Sequence, residues 1–126
     1  MRLPLPVAVT LVALTTACDG QLIDPIQCTE ELRAGITVEV VDRSTGQPLA
    51  DEATLTLREA DYVETWTEAF DGRTLAGAWE RAGTYQVAVA LDGYHIWIGS
   101  SVVVTTDVCH VHPVALRAEM ERLPAF

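Results

Sequence analysis

Gly83-Thr84-Tyr85-Gln86-Val87-Ala88-Val89-Ala90-Leu91-Asp92-Gly93-Tyr94 sets the fold of this chain. Tyr85, Val87, Val89 and Leu91 fall on one face; Thr84, Gln86, Ala88 and Ala90 fall on the other. Strict alternation between a glycine turn and an Asp-Gly turn is the mark of a half-buried strand. The stretch predicts a central strand, with Tyr85 and Tyr94 as core anchors whose hydroxyls need polar partners.

The flanking sequence repeats that pattern. Upstream, Ile36, Val38 and Val40 alternate with Thr37 and Glu39. The run Asp42-Arg43-Ser44-Thr45-Gly46-Gln47-Pro48-Leu49 then reads as a turn, with Gly46 able to take positive φ. A second strand has Ala53, Leu55 and Leu57 inward. A third is expected over residues 62–70, with Tyr62, Glu64, Trp66 and Glu68 sharing a face that their charge marks as wet. Residues 75–80 give a fourth strand. Downstream of the quoted stretch, residues 94–98 and 102–104 are strands broken or bulged at Gly99-Ser100-Ser101. Residues 114–120 alternate strictly and read as the last strand, with Pro113 at its start because proline has no N–H to donate. About seven short strands at regular spacing predict an all-β sandwich or barrel. One short helical turn is expected over residues 29–33, capped by Thr29.

The 126 residues suggest one domain over residues 35–120, followed by a short tail at 121–126. Charge is one-sided: 18 Asp and Glu against 8 arginines, a net charge of -10. That balance argues against nucleic acid as a partner, because nothing offsets phosphate repulsion.

Residues 1–17 read as a secretory signal: a positive start at Arg2, an apolar run, and small residues before Cys18. The run is shorter than the roughly 20 apolar residues that span a bilayer. Leu14-Thr15-Thr16-Ala17-Cys18 resembles the lipobox of bacterial lipoproteins, with Thr15 where that family favours leucine. The resemblance implies cleavage before Cys18 and acylation of its thiol, with residues 18–34 as a lipidated tether. Ordinary signal-peptidase cleavage after Ala17 is the rival reading. Asp19 after the cysteine resembles an inner-membrane retention signal, a rule that varies between lineages. If Cys18 carries lipid, Cys28 and Cys109 remain as a pair, and the oxidising exported compartment permits their disulfide.

Two segments carry a family resemblance. Residues 38–49, an apolar strand followed by Asp and then Thr45-Gly46-Gln47-Pro48, resemble the opening strand and turn of carboxypeptidase regulatory-like domains. Residues 83–94 are similar to that family's Gly-x-Tyr strand and its closing Gly-Tyr. The resemblance implies a seven-stranded Greek-key sandwich of the transthyretin type. Such domains hold no catalytic residues.

Candidate chemistry is sparse. His110 and His112 are two apart and would share a strand face, with Asp107 nearby and His95 on another strand. They are weighed as metal ligands, but no third ligand stands at fixed spacing, and no metal or other cofactor is expected. Tyr62 and Trp66 share a face and could stack on a sugar ring or a partner protein. No Gly-x-Ser-x-Gly elbow, HExxH or phosphate loop is present. The Tyr-Arg-Gly-Ser end of the transthyretin-like hydrolase of hydroxyisourate is absent from the chain's last residues, 122–126. The expectation is therefore a non-catalytic, exported protein, lipid-anchored on the periplasmic or outer face of a bacterial membrane. Its partners would be the membrane, through its lipid, and an envelope protein or glycan.

Overall fold

The computed structural model describes residues 25–125 together with Arg2 and Pro4. The signal segment and Cys18 lie outside the described residues. The chain is an all-β sandwich of two sheets. In chain order the strands are β1 (Ala34–Asp42), β2 (Thr54–Glu59), β3 (Tyr62–Trp66), β4 (Thr74–Trp79), β5 (Gly83–Ala90), β6 (Trp97–Ile98), β7 (Val102–Val104) and β8 (Val114–Met120). One sheet runs β4-β1-β8; the other runs β3-β2-β5, with β6 and β7 both paired to β5.

The quoted stretch forms β5, and it is central as expected, with β2 on one edge and β6 and β7 on the other. Tyr85, Val87 and Val89 are fully buried, and Leu55 and Leu57 lie beside them. Facing them across the sandwich are Ile36, Val38 and Val40 of β1, Leu75 of β4 and Met120 of β8. Each strand supplies every second side chain to this layer, as the pleat requires. The Tyr85 hydroxyl donates to the Arg81 carbonyl at 2.9 Å and accepts from the Arg81 guanidinium at 2.7 Å. A buried ring thus keeps its polar end satisfied.

β6 and β7 are one edge interrupted by a bulge. Ile98 opposes Ala88 and Val102 opposes Tyr85, so three steps along β5 match four along its partner. The extra residue falls in the Gly99-Ser100-Ser101 break. Counting the two pieces separately gives eight strands in place of the expected seven. β1 and β8 run parallel, from Ile36 beside Val114 to Asp42 beside Met120.

The turn after β1 is built around Asp42, which is 1% exposed. Its Oδ1 accepts from the Ser44 N–H, the Ser44 hydroxyl and the Thr45 N–H; Oδ2 accepts from the Tyr94 hydroxyl at 2.7 Å and Arg122 Nε at 3.0 Å. The Tyr94 hydroxyl, then Ser44 and Arg122, hold the Asp42 carboxyl far below the usual carboxylate range. Gly46, at φ 73°, closes the turn by donating its N–H to the Asp42 carbonyl. This ties β1, the β5–β6 connection and the segment after β8 at one pole.

Three local expectations are corrected. The third strand stops at Trp66, and Phe70 makes only an isolated bridge to Thr74. The strand expected over residues 94–98 is reduced to Trp97–Ile98. Residues 29–33 form no helix; the only helical turn among the described residues is a 3-10 turn at Ala50–Glu52. Thr29 and Arg33 are instead held to His110 and Glu80.

Candidate functional site

The tether is strapped to the pole opposite Asp42. Cys28 and Cys109 form a disulfide, 81 residues apart in sequence. Beside it His110, nearly buried, bridges two elements. Its Nδ1 lies 2.7 Å from Glu80 Oε1 and its Nε2 lies 2.9 Å from the Thr29 hydroxyl. Nδ1–H donates to the Glu80 carboxylate, and Nε2 shares a hydrogen bond with the Thr29 hydroxyl. Glu80 also accepts from the Arg33 N–H at 2.8 Å and the Val111 N–H at 3.2 Å. Burial alone would raise the Glu80 carboxyl; the bonds from Arg33, His110 and Val111 outweigh it and hold it below its ordinary value.

His112 does not share His110's environment. Thr106 and Val111 make only an isolated bridge, and the two rings have different partners. His112 pairs with Asp107 at 3.2 Å and Thr105 at 3.0 Å in solvent. Asp107 accepts from the His110 and Cys109 N–H groups as well, and these with His112 bring its carboxyl down to about 2. His95 is likewise outside a strand and gives its N–H to the Glu121 carbonyl. Among the described residues, no group of three His, Cys, Asp or Glu side chains could hold a metal ion.

Hydroxyl, imidazole and carboxylate in series also describe a nucleophile with its base. The triplet joins Thr29 to Glu80 through the His110 ring.

The face of Tyr62, Glu64 and Trp66 is not wet. These side chains are half-buried and turned toward the interior, whereas Val63 and Thr65 face solvent. The reason is the gap between β3 and β4, edge strands of different sheets. Glu64 closes it: one carboxylate oxygen accepts the Ala78 N–H and the other accepts the Tyr62 hydroxyl at 3.1 Å. Ala78 sits at φ 52°, which breaks the β4 extended run. The charge at Glu64 thus serves a backbone donor, not solvent.

Tyr62 and Trp66 part company. Arg81 lies 3.5 Å above the Tyr62 ring, so that ring is already covered. Trp66 instead meets Trp79 edge-on at 6.5 Å, and Phe70 lies 6.0 Å from Trp79. With Leu32, Ala69 and Ala76 they line an apolar groove of about 540 Å³, rimmed by Glu68. The Trp66 indole N–H is buried with no hydrogen-bond partner among the described residues. Gly77 makes room for that ring: a Cβ there would come within 2.8 Å of it. Trp97 lies on another edge, half-buried in a shallow hollow with Val114 and Leu116.

Of the groove's other walls, only Trp79 carries a sequence signal, as an aromatic on a strand whose direction the alternation leaves open. Trp79 and Phe70 sit on β4 and on the loop before it, and the closing of the sheet edges brings them to Trp66. Leu32 is one of several apolar residues in the tether, with Leu22, Ile23 and Ile26, and gave no specific signal. Comparison with protein-family models yields no match, and comparison with curated proteins yields none.

Proposed function

We propose that this chain is a non-catalytic interaction module of the bacterial envelope. It is exported, anchored through lipid on Cys18, and uses the Trp66–Trp79–Phe70 groove to hold an apolar segment of a second envelope protein. The observation that carries this reading is the groove itself. It is concave, aromatic-walled, within the ~300–1,000 Å³ range of ligand sites, and set beside the strapped tether. A sugar ring needs several hydrogen-bonding groups around its rim, and Glu68 is the one charged side chain there. An apolar peptide segment suits the lining better. The Cys28–Cys109 disulfide supports an oxidising address. The two-sheet fold and the Asp42–Pro48 turn support kinship with carboxypeptidase regulatory-like domains, non-catalytic modules of Greek-key type.

A photo-crosslinking residue at position 70, in the cells that make the protein, tests the groove. A discrete protein adduct is expected, lost when Trp79→Ala is added. Adducts no stronger than from exposed position 123 would overturn the reading. Intact mass of membrane-extracted protein tests the anchor; a mature chain beginning at unmodified Cys18 would remove it.

A further inference from the structure

We propose that the outer face of the five-stranded sheet is a docking surface for a second copy of this chain. The two outer faces of the sandwich differ sharply in charge. On the three-stranded sheet, Glu39 sits between Arg73 at 3.5 Å and Arg117 at 2.9 Å, and Arg117 reaches Glu119 at 3.4 Å. On the five-stranded sheet the outward positions are Thr54, Thr56 and Arg58 of β2 and Gln86, Ala88 and Ala90 of β5. Val63 and Thr65 of β3 continue the face on one side. Arg58 is the one charge among these positions, in a chain of net charge -10.

Relief points the same way. The small side chains of β2 and β5 floor a trough of about 270 Å³. Beside it stands a ridge of Ile96, 64% exposed, and Ile98, 74% exposed. Val103, opposite Thr84, extends the ridge. A ridge flanking a trough of apolar and uncharged groups is self-complementary. A twofold axis through the face seats each ridge in the other copy's trough, the isologous arrangement of most homodimers. A face shaped for an acidic or a basic partner would present charge of the opposite sign; this one presents almost none. Two copies meeting here desolvate no carboxylate, and their repulsion is left to the screened remainder of the surface.

Size sets the strength. Four strands about 4.8 Å apart and six residues long at about 3.3 Å each give a flat footprint of roughly 380 Å². Side-chain relief enlarges this, but it stays below the about 800 Å² per partner of a standard interface. The dimer is therefore weak, with a dissociation constant on the order of 10 μM or above.

Sedimentation velocity of the folded protein from about 5 to about 500 μM brackets that range. A monomer–dimer equilibrium that strengthens with added salt is expected, because salt screens the like net charges. Ile98→Glu is expected to raise the dissociation constant at least about tenfold. Ile98 is solvent-exposed, so the fold tolerates the change, and a circular dichroism melt checks it. Val108→Glu, equally exposed but on the disulfide loop, is expected to leave the equilibrium unchanged. A monomer at every concentration overturns the proposal, as does a dimer that Ile98→Glu leaves intact. A monomer whose Ile98→Glu variant loses a different cellular partner overturns it in favour of that partner.

Discussion

Replacing Cys28 and Cys109 with serine, in a background where Cys18 is also serine, opens a covalent ring that encloses most of the sandwich. The bond spans 81 residues. In the chain-entropy description a ring of that length restricts the unfolded chain by about 4.5 kcal/mol. The native state recovers part of this. Once the bond is gone, the tether is held by Thr29 on His110 and the Arg33 N–H on Glu80, and it can fray up to the start of β1. The expected net loss is about 3–4 kcal/mol, within the range for native disulfides. At about 4–8 °C per kcal/mol for a domain near 100 residues, the melting temperature falls by roughly 12–32 °C. Urea denaturation followed by tryptophan fluorescence measures it. The slope with denaturant should also rise, because the open chain exposes more surface when unfolded. A loss under about 1 kcal/mol would refute the reasoning, since the ring would then not constrain the unfolded ensemble.

Gly77→Ala places a methyl 2.7 Å from Leu57 Cδ1 and 2.8 Å from the Trp66 ring. It should cost about 1–3 kcal/mol and change the near-ultraviolet circular dichroism of Trp66; an unchanged spectrum at parental stability would contradict the packing described. Glu64→Ala strands the Ala78 N–H and should cost about 1–3 kcal/mol, with hydrogen exchange at Ala78 reporting the loss directly. Asp107 titrates near 2 in the folded protein against an ordinary value of 3.8. Its stabilisation is present above the ordinary value and lost as pH falls through the folded one. Asp42 behaves the same way, further into acid. Urea melts between about pH 2 and pH 5 should therefore show stability falling with acid, less steeply for Asp107→Asn; identical slopes would sink the assignment.

Most of the strands were legible because half-buried strands write their burial as alternation. β2 and β5 alternate cleanly, whereas β1 is buried on both faces from Val40 to Asp42 and Val114 and Leu116 of β8 are only half-buried. The Gly99–Ser101 interruption was legible because small flexible residues mark a bulge. β3 misled for a physical reason. Glu64 is charged, and charge in an alternating face reads as solvent until the Ala78 N–H it serves is known. The same holds for His110 and His112. Spacing of two implies a shared side only in a regular strand, and the loop around Cys109 is not one. Half of the candidate groove was visible as Trp66. Its other walls come from the tether, β4 and the loop before it, and only the closing of two sheet edges assembles them.

The parallel pairing of β1 with β8 gives the molecule a mechanical character. A load applied between the tether and the segment after β8 enters at Cys28 and crosses covalently to Cys109. Everything between those cysteines is shielded from extension. The residues from Cys109 to Phe126 can pay out, about 60 Å of chain at full stretch. To release them, β8 must slide along β1, loading the whole ladder from Val114 to Met120 at once. The β1–β8 ladder and the disulfide would resist such a load together, with little extension.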